Sequence, residues 1–219
     1  MATSVAPTSQ EAGGNLSPVP WYRDRNRRLL SSGIVLVLAA AVTWFVVTSN
    51  RRKEEFASRS LGQARATAEA GNLPLASSEL QKLIQTYKGT DAANEAVITL
   101  NQVRLVNGQP ELAAVGLRDF LANKPPAKYL APANGLLGTS FEMARKWPDA
   151  ADAYMRASEA AEVEYLKASY LLDAGRAYLA ADKKDEAAKA YRTIIEKHPK
   201  SSSMTEAQVR LAELTGGKM

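Results

Sequence analysis

Residues 171–199 read LLDAGRAYLAADKKDEAAKAYRTIIEKHP, and this stretch decides the fold. Leu171, Ala174-Gly175 and Tyr178 follow one another at spacings of three and four, so they share one face of a helix. Asp182-Lys183-Lys184 interrupts that pattern. Ala187, Tyr191 and Ile194 then set up a second apolar face, and Pro199 ends it. Small residues allow two helices to approach closely, and large apolar residues four and seven positions further on fill the space between them. The stretch therefore encodes two antiparallel helices joined by a short turn.

The same spacing recurs at intervals of 37 residues. Stepping back from Ala187 reaches Ala150, Ala113 and Ala76. Four positions after each alanine stand Leu80, Leu117, Tyr154 and Tyr191, and seven after stand Leu83, Phe120, Ala157 and Ile194. Twelve before stand Ala64, Asn101, Gly138 and Gly175, and nine before stand Thr67, Arg104, Phe141 and Tyr178. Turns are expected at Gly71-Asn72, Asn107-Gly108-Gln109-Pro110, Lys146-Trp147-Pro148 and Asp182-Lys183-Lys184, since Gly and Asn suit a left-handed C-cap and Pro suits a first helical turn. Four in-phase copies of one supersecondary unit are the signature of a solenoid.

The fourth unit resembles a tetratricopeptide repeat. Leu171 takes the place of the usual tryptophan, followed by Ala174-Gly175, Tyr178, Ala187, Tyr191, Ile194 and Pro199. The second unit keeps Val97, Leu100, Ala113, Leu117, Phe120 and Pro125. The third keeps Leu137, Gly138, Phe141, Ala150, Tyr154 and Ala157, with Glu162 where proline is usual. The first keeps chiefly Ala64, Ala76 and Leu80. The resemblance spans residues 56–215 and implies an all-α solenoid of about four helix pairs. Its period exceeds the usual 34 residues by about three, which is expected to lengthen links between units, as at Pro125-Pro126-Ala127-Lys128. Met204 to Leu214 reads as a capping helix over the last repeat.

Residues 29–49 are of a different kind. From Leu29 to Ser49 no residue is charged, and at ~1.5 Å per residue the stretch is long enough for a bilayer's hydrocarbon core. Trp21, Tyr22, Trp44 and Phe45 lie near its ends, and Arg23, Arg25, Arg27 and Arg28 on one side face Arg51, Arg52 and Lys53 on the other. The apolar run continues past Ala39-Ala40-Ala41 through Trp44-Phe45-Val46-Val47, so an uncleaved transmembrane anchor is expected. Residues 1–28 are expected to be a disordered tail with a basic juxtamembrane end. Residues 50–55 are expected to form a charged linker, and residues 216–219 a tail. The two flanks carry similar positive charge; the short tail favours an N-terminus in the cytoplasm and a repeat domain in the periplasm of a bacterial inner membrane.

Composition excludes several functions. Residues 56–219 hold 21 Lys and Arg against 19 Asp and Glu, without the basic stripe that a nucleic-acid binder needs. No cysteine is present, so disulfides, thiolate metal sites and cysteine nucleophiles are excluded. The single histidine, His198, sits beside Pro199 at a helix end, where a cation favours the dipole. Gly135-Leu-Leu-Gly138 lacks the following Lys-Ser/Thr of a phosphate loop. Carboxylates such as Glu159, Glu162, Asp185 and Glu186 read as solvated helix faces, and Trp147 as a packed turn residue or, as the alternative, a surface anchor for a partner. No catalytic residue, cofactor or metal is expected, and no small-molecule substrate.

The tetratricopeptide resemblance implies a concave surface lined by the first helix of each pair. In that register the residues facing it are Leu61, Arg65, Glu95, Ile98, Gln102, Leu105, Thr139, Glu142, Leu172, Arg176 and Leu179. Such a surface holds an extended or helical segment of another protein. Some relatives clamp a C-terminal carboxylate with a Lys and Asn set; here the matching places hold Leu61, Arg65, Ile98 and Gln102, so that mode is not expected. Anchor plus repeats is a layout similar to the ancillary subunit family of the SecYEG translocon. That similarity implies contact with the translocon and periplasmic chaperones, and a part in export or assembly of envelope proteins. The alternative is a dedicated structural subunit of another large membrane complex.

Overall fold

The structure is a computed structural model and describes residues 25–217. Most of the expected N-terminal tail, including Trp21, Tyr22 and Arg23, lies outside the described residues, as do Lys218 and Met219. The chain divides into two compact units, Met1–Ser49 and Asn50–Met219. Regular structure among the described residues is helical: α1 (Arg25–Glu69), α2 (Leu73–Thr86), α3 (Asp91–Val106), α4 (Pro110–Ala122), α5 (Leu130–Met143), α6 (Trp147–Ala160), α7 (Glu164–Ala180), α8 (Lys184–Lys197) and α9 (Ser203–Thr215).

The first unit's described part is the beginning of α1. Its sequence is long and apolar enough to cross a membrane. Leu29 and the large side chains from Ile34 to Val47 are exposed, with Trp44 at 72% and Phe45 at 70%. This helix is compatible with a membrane anchor. Residues 50–55, expected as a linker, are helical.

In the second unit, helices pair as the 37-residue phase requires. The first helix of each pair (A) ends at Glu69, Val106, Met143 and Ala180, and the second (B) begins at Leu73, Pro110, Trp147 and Lys184. Each turn is made the same way. Gly71, Gly108, Arg145 and Asp182 take positive φ, at 83°, 69°, 55° and 57°. The next amide then donates to a carbonyl five residues back: Asn72 to Thr67 at 3.1 Å, Gln109 to Arg104 at 2.9 Å, Lys146 to Phe141 at 2.8 Å, Lys183 to Tyr178 at 2.9 Å. These bonds satisfy carbonyls that the helix end would leave open. Pro follows within the first turn of α2, α4 and α6. The connectors between units vary instead. They cover residues 87–90, 123–129, 161–163 and 198–202, and the second includes a 3-10 turn at Ala127–Tyr129.

The core is built from small residues set against large ones. Within units, buried Ala64 and Leu80 share a cluster. A Cβ on Gly138 would lie 2.6 Å from the Tyr154 ring, and one on Gly175 would strike the Tyr191 ring. In the second unit Asn101 replaces the small residue, and the partner helix meets it with Gly116, where a Cβ would come within 2.8 Å of Asn101 Oδ1. The buried amide is satisfied by Val97 O at 2.8 Å and Arg104 Nη1 at 3.0 Å. Adjacent A helices follow the same rule. Leu61 packs in one cluster with Ala96, Ile98 with Ala133, and Leu172 with Ala207. Between α5 and α7 the order inverts, and Gly135 admits Tyr170, whose Cε1 would be 2.6 Å from a Cβ.

A polar ladder runs along one edge at the same period. The Glu54 carboxylate accepts from the amides of Asp91 and Ala92, each at 2.8 Å, and so caps α3. Asp91, 37 residues on, accepts from Lys128 Nζ at 2.7 Å and from the Tyr129 hydroxyl at 2.9 Å. The Lys128 bond is the main cause holding the Asp91 carboxyl below its ordinary range, with Tyr129 helping against burial. Burial, then Asp91, pushes the Tyr129 phenol up to about 12.

Two measurements check this construction. Gly175→Leu is expected to lower stability by about 1–3 kcal/mol, a fall in Tm of roughly 3–10 °C for the full chain in detergent. Gly175→Ala combined with Tyr191→Leu, which copies the Ala64–Leu80 pair, should recover much of what Gly175→Ala alone loses. An unchanged melting temperature in Gly175→Leu would reject the register. The second measurement is an NMR titration of Asp91. Its folded pKa is lowered, so its contribution to stability is complete above the ordinary carboxylate range and is lost as pH falls through the lowered value. Lys128→Ala should move the Asp91 titration upward; no movement would show that Lys128 is not the cause.

A candidate protein-docking face on the A helices

The eleven residues expected on the A-helix face separate by chemistry. Leu61, Ile98, Leu105 and Leu172 are buried, at 4%, 8%, 8% and 8% exposure. The structure places them in the interior, three of them in hydrophobic clusters that also hold an alanine of α3, α5 or α9. The reason is the period itself: the same face of an A helix that looks inward also meets its neighbour one repeat on. Leu179 is half-buried beside the last cluster. Arg65, Glu95, Thr139 and Glu142 are half-buried, and Gln102 and Arg176 are exposed.

The polar residues form two groups. In the first half, Arg65 Nη2 donates to Glu95 Oε1 at 2.7 Å and reaches Thr99 Oγ1 at 3.3 Å. Arg65, Glu95, Ile98 and Gln102 border an open pocket of about 430 Å³ together with Asp91, Thr99, Lys128, Tyr129 and Pro132. Each cation there is matched by one carboxylate, Arg65 by Glu95 and Lys128 by Asp91.

In the second half, the Tyr154 hydroxyl donates to Glu142 Oε2 at 2.7 Å and lies 3.2 Å from Thr139 Oγ1. Burial, with Glu142 adding to it, raises the Tyr154 phenol, so it remains a donor at neutral pH. Arg176 is bonded to Asp173, one helical turn earlier. Burial of the Arg176 guanidinium is outweighed by Asp173, Glu142 and Glu206, which keep its pKa raised. Arg210 reaches Glu206 Oε1 at 3.7 Å and Glu213 Oε2 at 3.3 Å. Both arginines singled out from the sequence are thus engaged within the chain, and neither stands free for an anion.

Asp91, Thr99, Lys128, Tyr129, Asp173, Glu206 and Arg210 were not in the sequence-derived set. Part of the signal was present. Glu206 stands three periods after Glu95, so the 37-residue register alone places it on the same face. Asp173 precedes Arg176 by three residues, a spacing that pairs charges on a helix. Lys128 and Tyr129 lie in a connector, where helical register gives no guidance.

The tetratricopeptide repeat-like domain family matches residues 20–216. No curated protein matches the chain by sequence. Solved structures share the fold at low identity. The Podosopora anserina putative kinesin light chain with nearly identical TPR-like repeats is 14% identical, with a TM-score of 0.58 over 73% of this chain and 85% of that one. MamA from Desulfovibrio magneticus RS-1 is 20% identical, with a TM-score of 0.53 over 67% and 77%. BtubC from P. vanneervenii is 17% identical, with a TM-score of 0.57 over 77% and 85%. Repeat phase, left-handed turns, glycine–tyrosine packing and the family match agree: the chain belongs to the tetratricopeptide repeat-like domain family, whose fold is a scaffold for binding other proteins.

Proposed function

We propose that this protein is a membrane-anchored docking module that assists export or assembly of envelope proteins at a bacterial inner membrane, in the manner of a translocon accessory subunit. The observation that carries the reading is the apolar start of α1. Leu29 and the large apolar side chains from Ile34 to Val47 are exposed on it, and a helix apolar all round is stable in lipid and costly in water. The anchor is Leu29–Ser49, with residues 1–28 in the cytoplasm and the repeat domain, residues 56–215, in the periplasm. Binding is assigned to the A-helix face. Its polar residues Arg65, Glu95, Gln102, Thr139, Glu142 and Arg176 lie at the surface or half-buried, and a repeat stack offers them as one extended strip to an extended or helical segment. Catalysis has no place in this reading.

The test is purification of the full chain, carrying a C-terminal tag, from its native host in mild detergent, with mass spectrometry of the co-purifying proteins. Translocon subunits together with periplasmic chaperones are the expected partners. Recovery of one different membrane complex in fixed ratio would replace the export reading with that of a dedicated subunit of that complex.

A further inference from the structure

Charge is sorted unevenly over the repeat domain. Residues 56–219 carry a small positive excess, 21 Lys and Arg against 19 Asp and Glu. On the face shared by α5, α7 and α9 the balance reverses. Glu142, Asp173, Glu206 and Glu213 stand there, and among the described residues Arg176 and Arg210 are the cations paired with them. Three of these acids, drawn from three successive A helices, act on the one Arg176 guanidinium. Burial is what raises the Asp173 carboxyl; Arg176 pulls it down, and Glu142 and Glu206 add smaller upward pushes. The face has more acceptor capacity than its own two arginines use.

A second observation is independent of the charges. The Tyr191 side chain is fully buried, yet its hydroxyl has no hydrogen-bond partner among the described residues. Its ring lies against Gly175 as that of Tyr154 lies against Gly138, so in the repeat register its hydroxyl points toward the face carrying Arg176 and Leu179. The repeat explains the vacancy. Tyr154, 37 residues earlier, has its hydroxyl held by Thr139 and Glu142. One period on, those two positions are Arg176 and Leu179. Arg176 is bonded to Asp173 instead, and leucine has no polar atom. An unmet buried hydroxyl is costly, and a bound donor would remove that cost.

We propose that the face formed by α5, α7 and α9 receives a basic side chain, arginine or lysine, from a segment of a partner polypeptide. Glu142 and Glu206 hold its charge, and the Tyr191 hydroxyl oxygen accepts one of its N–H groups. Arg176, whose side chain is 48% exposed, shifts to open the hydroxyl, and half-buried Leu179 one turn on supports the aliphatic stem. This rests on the reading of the A-helix face as the docking surface and gives that surface its charge preference. The first half of the face, where cations and acids match one to one, has no such preference.

The test uses the full chain in detergent and three fluorescent peptides of equal length and apolar content, carrying arginine, glutamine or glutamate at the same positions. By fluorescence anisotropy the arginine peptide should bind at least about tenfold more tightly than the glutamate peptide, with an advantage that shrinks as salt rises. Glu142→Gln with Glu206→Gln should erase that advantage, bringing the arginine peptide to the affinity of the glutamine peptide in the same variant. Tyr191→Phe should weaken the arginine peptide about threefold with a Tm no lower than that of the parent chain. Equal binding of all three peptides, or an unchanged preference in the double variant, overturns the proposal and leaves the docking surface standing. Binding of none of them overturns the docking surface along with it.

Discussion

A glycine facing a tyrosine at a fixed distance along the chain is the constraint from which the rest of this fold follows. Gly138 receives Tyr154 and Gly175 receives Tyr191, with no room for even a methyl group. Interiors pack at crystal-like density, so volume added on one side has to be removed on the other. The first unit meets the same requirement with Ala64 and Leu80. The second, holding Asn101 at the small position, sets a glycine, Gly116, against it. The sum of the two partners is held, and neither partner alone is. Because the clusters that join neighbouring repeats also combine large with small residues, Leu61 with Ala96 and Leu172 with Ala207, each repeat is keyed to the next as well as to itself.

This is why so much of the architecture was legible in the sequence. Helices that differ in length and composition still place Ala76, Ala113, Ala150 and Ala187 at full burial, because the spacing of small residues is set by how closely helices approach. Turn positions were legible for a related reason. Gly71 and Gly108 mark left-handed residues openly, while Arg145 and Asp182 take the same conformation without that mark and are found only through the period. The connector at 123–129 obeys no periodicity, so the 3-10 turn, and with it the Lys128–Asp91 and Tyr129–Asp91 bonds, was not legible.

The proposed docking face was legible in outline and not in detail. Periodicity identifies which side of an A helix looks away from its B partner. It does not say which residues on that side are covered by the next A helix, and Leu61, Ile98 and Leu172 fall under that cover. Nor does it reveal the use of charge. Arg65 and Arg176 carry the same residue type in the same register, yet one is matched by a single acid and the other sits among three. That difference arises from side chains on three separate helices, and only the folded arrangement brings them together.

The contrast between the two edges of the stack bears on how such a chain tolerates change in length. Turns within pairs keep strict phase, at Gly71, Gly108, Arg145 and Asp182, and a residue gained there would rotate the following helix and turn its alanines away from their partners. Connectors between pairs already differ in length, and they absorb such a change without disturbing any small–large contact. Insertions and deletions are therefore tolerated on one edge and rejected on the other. A lineage of such chains would keep one margin smooth while the opposite margin accumulates loops, so that new surface features arise along that single line.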